Sequence, residues 1–291
     1  MSMRTPVAIF GYNRPTHLDR LLKSLSKCSR LDQIEIIYFC DGIKDVGHTR
    51  AVAKTRAIAR KWQKRLGGHL VEKPKNHGLA GSILEGTSWL CRDFGRVIVL
   101  EDDLILNRGF LDFHLRALDH YAQTKEIYQI SGFSFRLVPP APNKGYLLPI
   151  ISTWGWSTWE RAWDQFHPSS ISLADLNDEM IRHRFNLEGS YDYSQMLDDS
   201  LQGRNNSWGI RWNWHVFKSG GAVLYPPHSL VHNAGYDSSG FHCKASSKTE
   251  TWQPSDAEVK HYKMPVEIDF PDVNAGASSQ REHLKALLRM M

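Results

Sequence analysis

Short apolar segments alternate with helical segments over the first ~130 residues, and this alternation constrains the fold more than any other feature. Apolar runs predict strands at 7–10, 34–40, 69–72, 96–100 and 127–131. Between them, helical patterns fall at about 15–25, 48–66, 79–90 and 108–122. Strand–helix alternation predicts an α/β fold with a mostly parallel central sheet flanked by helices.

The second part of the chain has a different character. Four prolines fall between 139 and 149, and seven of the ten tryptophans fall in 154–163 and 208–214. Helical patterns at about 156–166, 173–185 and 207–218 follow. We predict a single domain over 1–291, with a first half at about 1–131 and a more irregular half at about 132–291 that ends in a short basic helix.

Composition excludes several classes of protein. The chain carries 36 basic and 31 acidic residues, a net charge of +5, which is too mild to predict a nucleic-acid partner. No apolar run approaches the ~18 residues of a membrane span. Neither a Walker A motif nor a GxGxxG motif is present, and the four cysteines form no CxxC pair. The start of the chain lacks a signal-peptide pattern, so a cytoplasmic protein is expected.

Polar residues follow each of the first four predicted strands. They are Arg14 after the first, Asp41 and Gly42 after the second, His77 and Gly78 after the third, and Glu101, Asp102 and Asp103 after the fourth. Ligands of open parallel sheets bind at the carboxyl ends of the strands. Each of these residues also has an ordinary reading, as a turn, a surface side chain or a helix start.

The acidic triplet at 101–103 is the sharpest of these features. Three carboxylates at the end of an apolar strand repel one another and are costly to hold near a core. A divalent cation removes that cost, and hard oxygen ligands suit Mg²⁺ or Mn²⁺, which also bind substrate phosphates. The alternative is a strand that ends in solvent at polar residues.

The order and spacing of seven motifs resemble those of the GT-A nucleotide-sugar glycosyltransferases. The motifs are FGYNRP at 10–15, DG at 41–42, NHGLA at 76–80, VIVLEDDL at 97–104, WGWSTW at 154–159, SWGIRW at 207–212 and LVHNAGYDSSGFHC at 230–243. The chain is similar to bacterial family 2 enzymes and, more remotely, to the N-acetylglucosaminyltransferase I type. The resemblance spans about 6–243.

This resemblance implies a GT-A, Rossmann-like fold with a nucleotide-binding first half and an acceptor-binding second half. It assigns Asp103 and His242 to a Mn²⁺ or Mg²⁺ ion. The residues implied for the nucleotide-sugar are Arg14, Asp41, Gly42, His77, Gly78, Glu101 and Asp102. Trp154, Trp156 and Trp208 are implied for the acceptor.

The implied reaction is a metal-dependent, inverting transfer from a nucleotide-sugar, most often a UDP-sugar, to a glycan or lipid-linked acceptor of a surface polysaccharide. Relatives often carry an acid just before the SW motif, but Asn206 stands there and a neutral amide takes no proton. Asp237 is the preferred catalytic base and Asp199 the second candidate.

Two further functions stay open at this point. One is a sugar nucleotidyltransferase, which also needs an acidic metal site, and the other is a non-catalytic sugar-binding or scaffold protein. A peripheral contact with a membrane surface, at the inner face of the membrane, is also expected from the mild basicity and the acceptor class.

Overall fold

The computed structural model describes residues 4–134, 145–186 and 191–235. Its strands are β1 (Thr5–Gly11), β2 (Ile34–Cys40), β3 (His69–Glu72), β4 (Arg96–Glu101), β5 (Leu104–Leu106), β6 (Ile127–Ser131), β7 (Tyr146–Leu148), β8 (Trp156–Trp159), β9 (Ala222–Tyr225) and β10 (Val231–Asn233). Its α-helices are α1 (Pro15–Leu25), α2 (Thr49–Leu66), α3 (Gly78–Phe94), α4 (Phe110–His120), α5 (Glu160–Trp163), α6 (Glu179–Phe185), α7 (Tyr193–Leu201) and α8 (Trp208–Lys218).

Eight strands form one sheet in the order β3-β2-β1-β4-β8-β6-β9-β7. β1 pairs in parallel with β2 and β4, β2 with β3, and β6 with β9. β8 is antiparallel to both β4 and β6, and β7 is antiparallel to β9. All strands of this sheet except β7 and β8 therefore point the same way. The predicted α/β fold with a mostly parallel, helix-flanked sheet is confirmed.

The sheet is covered on both faces, because alternate residues of its central strands enter different cores. Val7 and Ile9 pack with residues of α1, α2 and α4, whereas Ala8 and Phe10 pack with residues of α3 and α8. Burial on both faces explains why 97–100 is a continuous apolar run with no exposed residue. The polar ends of these strands are left at one edge of the sheet.

The helix predicted over 156–166 is wrong in its first part, because Trp156–Trp159 is the strand β8. Trp156 and Trp159 lie in cores on opposite faces of the sheet, as residues three apart in a strand must. Their spacing equals one turn of a helix, and this coincidence produced the helical pattern. Only α5, which begins at Glu160, is helical there.

Strands from both sides of residue 132 share the large sheet, and α6, α7 and α8 contribute to a smaller third core. The division into two functional halves stays a prediction, and the basic helix expected at the end of the chain lies outside the described residues. Among the helices described, none combines the length and the apolar character needed to span a bilayer.

A close backbone approach fixes the edge strand β3 beside β2. Gly67 and Gly68 both have positive φ, at 79° and 94°, but only at Gly68 would a Cβ overlap a neighbour, the carbonyl oxygen of Ile36. We expect Gly68→Ala to lower the free energy of unfolding by about 2 kcal/mol more than Gly67→Ala, because only the former adds a clash to the backbone strain. Urea unfolding of the pair measures this, and equal losses would contradict it.

Candidate functional site

An acid pair lies at the carboxyl end of β4, in the short link between β4 and β5. The side chain of Asp102 is 4% exposed and that of Asp103 is 13% exposed. The backbone carbonyl of Asp103 accepts a hydrogen bond from the N–H of Ala234 at 2.7 Å. The pairing of β5 with β10 therefore holds the link from its far side.

Arg14 joins this acid pair from the loop between β1 and α1. Its Nη2 donates to Oδ1 of Asp102 in a short contact and to Oδ2 of Asp103 at 3.1 Å. Pro15 begins α1 directly after Arg14, so the arginine stands at the last position before the helix. The structure thus brings together three of the predicted site residues. Arg14 precedes Asp102 by 88 positions and Asp103 by 89 positions in the sequence.

Burial and like charges disfavour the ionised acids at this edge. Burial raises the pKa of Glu101 to about 8, with further upward contributions from Asp103 and Asp102, while Arg14 opposes them. Burial also raises the pKa of Asp102 to about 6, and the Arg14 guanidinium limits that rise. A cation added beside these acids would offset the cost of ionising them, so this edge of the sheet favours cation binding.

Asp41 connects the loop after β2 to the start of α3. Its Oδ1 accepts hydrogen bonds from the N–H of Gly42 at 2.8 Å and of His77 at 2.9 Å. Its Oδ2 accepts from Asn76 Nδ2 and from the N–H of Gly78, both at 2.9 Å. The residue is 7% exposed. We call this arrangement the Asp41 latch.

The latch occupies two backbone N–H groups at the start of α3. The carboxylate of Asp41 accepts from the N–H groups of His77 and Gly78, so neither is free for an anionic ligand. The imidazole of His77 is paired with Glu85, at 3.1 Å. The contacts of Asp41, Gly42, His77 and Gly78 with a nucleotide-sugar stay predictions, and the latch places these four residues at the same edge of the sheet as Arg14.

Gly235 lies against the acid pair. A Cβ at this position would stand 2.6 Å from Oδ2 of Asp103, so a larger residue would push on that carboxylate. The N–H of Gly235 donates to Oδ1 of Asn233 at 2.7 Å, which turns the chain at the end of β10. Gly235 was not among the predicted site residues. In the sequence it is a glycine two residues after the polar end of a strand, and its role becomes visible only through the pairing of β10 with β5.

Two of the three tryptophans expected at the acceptor belong to the core. Trp156 is fully buried, and its ring centroid lies 5.3 Å from that of Trp208, which is 6% exposed. Neither ring has a free face for a sugar, so their assignment to the acceptor is wrong. Trp154 is half-buried, with its ring edge-on to Phe133 at 4.8 Å, and its contact with an acceptor stays a prediction.

The two candidates for the catalytic base have different outcomes. Asp199 lies in the last turn of α7, where its Oδ1 accepts from Arg204 Nε at 2.7 Å and from Gln195 Nε2 at 2.9 Å. The hydrogen bond from Arg204 holds the pKa of Asp199 below its usual range, and its role as a base stays a prediction. Asp237 and the predicted metal ligand His242 lie outside the described residues.

No protein-family model matches the sequence. No curated protein sequence matches it either. Among solved structures, residues 1–349 of TarS from S. aureus are similar at 13% identity and a TM-score of 0.47, over 80% of this chain and 61% of that one. This chain thus spans about three fifths of that 1–349 segment.

Two further solved structures are similar at a comparable level. One is the mannosyltransferase PcManGT from Pyrobaculum calidifontis in complex with GDP-Man and Mn²⁺, with 12% identity and a TM-score of 0.42 over 75% of this chain and 69% of that one. The other is mouse xyloside xylosyltransferase 1, with 9% identity and a TM-score of 0.41 over 75% and 82%. Because the identities and TM-scores of these structures are low, the functional proposal rests on the side chains of the site.

The latch predicts a stability effect for Asp41→Asn. An amide nitrogen cannot accept a hydrogen bond, so one of the two oxygen positions loses its partners, and we expect a loss of about 2 kcal/mol in the free energy of unfolding. Asp45→Asn is the matched control, because the carboxylate of Asp45 accepts from one exposed N–H, that of Gly47. Urea unfolding compares them, and equal midpoints would refute the latch.

The raised pKa of Glu101 predicts a pH dependence of stability in the metal-free protein. A carboxyl with a folded-state pKa of about 8 stabilises the fold below its unfolded value of 4.5, and this contribution is lost as the pH rises through about 8. Wild type should therefore lose about 1 kcal/mol or more relative to Glu101→Gln between pH 5 and pH 9.

Chemical unfolding in the presence of a chelator measures this difference. Asp192→Asn is the control, because the hydrogen bond from the N–H of Gln195 holds the pKa of Asp192 below its usual range, so Asp192 titrates only at acid pH. The difference between wild type and Asp192→Asn should stay flat from pH 5 to pH 9. A flat difference for Glu101→Gln as well would contradict the placement of Glu101 among buried acids.

Proposed function

We propose that this chain is a glycosyltransferase that takes its sugar from a nucleoside-diphosphate sugar with the help of a divalent cation. The observation that carries the proposal is the meeting of Asp102, Asp103 and Arg14 at the carboxyl edge of the sheet. Paired acids and a guanidinium at one point offer ligands for a cation and a donor group for a phosphate.

The residues present fit Mn²⁺ or Mg²⁺. Within 4–134, 145–186 and 191–235, no group of three or more His, Cys, Asp or Glu side chains converges on one point. Two carboxylates are enough for these ions when substrate phosphates and waters complete the shell. Asp103 is the proposed direct ligand, since it is the more exposed acid of the pair, and Asp102 lies beside it. When bound, the ion would neutralise charge that develops on the leaving diphosphate.

The chain's own residues have separate tasks in this proposal. Arg14 holds the acid pair before the donor arrives and can donate its remaining N–H groups to a phosphate oxygen. The Asp41 latch keeps the loops after β2 and β3 in one position, so the nucleoside has a preformed wall. Gly235 leaves the Asp103 carboxylate the space it needs.

Donor and acceptor are proposed from the resemblance. We propose a UDP-sugar as donor, an inverting reaction, and a glycan or lipid-linked acceptor of a surface polysaccharide, with the protein acting at the cytoplasmic face of a membrane. Asp237 is proposed as the base that takes the proton of the acceptor hydroxyl. Of the three tryptophans that the resemblance implies for the acceptor, only Trp154 is proposed as a contact.

A thermal-shift panel of nucleotides and nucleotide-sugars, each with and without MnCl₂, tests the proposal. A ligand that binds only the folded protein at 100 times its Kd adds about 2.7 kcal/mol of stability. We expect a rise in Tm of about 5 °C with one UDP-sugar and Mn²⁺, and a much smaller rise without the ion. Release of UDP on prolonged incubation should accompany it.

Asp103→Asn should lose the Mn²⁺-dependent part of this shift, because an amide is a far weaker ligand for the ion. The matched control is Asp93→Asn, an exposed acid near the end of α3 that accepts from Trp89 at 2.6 Å. An unchanged shift in Asp103→Asn, or no shift with any nucleotide-sugar, would overturn the proposal. Pyrophosphate release from UTP and a sugar phosphate would instead indicate a nucleotidyltransferase.

A further inference from the structure

Three aliphatic side chains are exposed on the two segments that the Asp41 latch joins, the loop after β2 and the first turn of α3. Val46 is 89% exposed, Leu79 is 47% exposed and Ile43 is 45% exposed. Within the described part of the chain only two other large hydrophobic side chains are comparably exposed, Met180 and Tyr191. We call Ile43, Val46 and Leu79 the aliphatic rim. Exposed aliphatic residues on two segments that are joined in this way indicate a surface that meets something apolar.

The helix α2, which begins three residues after Val46, is strongly basic. Its 18 residues include seven Lys or Arg and no Asp or Glu. Val52, Thr55, Ala59 and Trp62 form its buried face. The opposite face carries Arg50, Lys54, Ala57, Lys61 and Lys64, spaced i, i+4, i+7, i+11 and i+14, and all five are exposed. We call the four charged residues of this face the basic stripe.

Neighbouring acids compensate this charge only in part. Asp19 accepts from Lys61 at 3.3 Å and from Trp62 Nε1 at 2.7 Å. Glu72 pairs with Arg60 on the flank of the helix at 2.6 Å. Asp45 caps the turn that precedes the helix. Arg50, Lys54 and Lys64 make no ion pair with any other described residue, so most of the stripe carries net positive charge into solvent.

We propose that the aliphatic rim and the basic stripe together form a docking surface for an anionic lipid bilayer. The stripe runs along a helix about 27 Å long, and such a row of cations matches the negative surface potential of acidic headgroups. The rim lies at the stripe's N-terminal end and supplies side chains that can enter the headgroup region. A nucleic acid would bind the cations, but its phosphates would gain nothing from the exposed Ile, Val and Leu side chains of the rim.

This surface has a consequence for the acceptor, which rests on the proposed function. Ile43 follows Asp41 and Gly42 directly, so the rim borders the edge of the sheet at which the donor is proposed to bind. Docking through the rim would bring that edge to the headgroup level. The sugar end of a lipid-linked acceptor lies at the same level, so it would be within reach of the proposed donor site.

Vesicle flotation of the full chain tests the docking surface without any nucleotide. The vesicles are phosphatidylcholine alone, or phosphatidylcholine with about 30% phosphatidylglycerol, in about 0.1 M salt. We expect binding to the anionic vesicles only. Lys54→Glu/Lys64→Glu should lower the partition coefficient at least about tenfold. Val46→Ser should lower it about threefold, and this loss should persist when the salt is varied.

Arg92→Glu/Lys125→Glu is the matched control. It makes the same change in net charge at two exposed cations away from α2, because Arg92 lies on α3, which covers the other face of the sheet, and Lys125 precedes β6. Its binding should equal that of wild type, and Tm measurements check that every variant is folded. Equal losses in both double variants, no binding by wild type, or equal binding to neutral vesicles would overturn the proposal.

A second result would also overturn the docking proposal. If the protein binds duplex RNA at the same salt and Val46→Ser binds vesicles as well as wild type does, the surface is a general polyanion site. None of these variants alters the acid pair or Arg14. Loss of vesicle binding with a retained UDP-sugar thermal shift therefore separates a failure of docking from a failure of the proposed function.

Discussion

The proposed function depends on the contact of Arg14 with Asp102 and Asp103. A strand that is buried on both faces, 97–100, ends in acids that repel one another and are poorly hydrated. The arginine relieves part of that repulsion, and it can reach the acids because β1 and β4 are neighbours in the sheet. The site is therefore a product of strand order, and the proposed chemistry follows from its remaining negative charge.

Much of the fold could be predicted because buried strands leave a strong pattern. β2 and β6 begin and end where the apolar runs at 34–40 and 127–131 do. The tryptophans of β8 give a false helical pattern for a physical reason, since a spacing of three residues fits a helix face as well as the two faces of a strand. Only the pairing of β8 with β4 and β6 distinguishes the two.

The placement of Arg14 and the acid pair at one edge was predictable, but the contacts within the site were not. Arg14 and the acid pair were expected at one edge because parallel strands align their carboxyl ends. The Asp41 latch could not be foreseen, because Asp41 and His77 are 36 positions apart and either could have faced a ligand alone. The same limit applies to Gly235, whose closeness to Asp103 depends on the ribbon of β5 and β10.

The pairing of Arg14 with the two acids has a consequence for how the protein matures. A protein whose crowded carboxylates had no internal partner would depend on a metal ion to fold, as small zinc-dependent domains do. Here a covalently attached cation is already in position as the chain collapses. The ion of the proposed function would then join a site whose acids already have a partner within the chain.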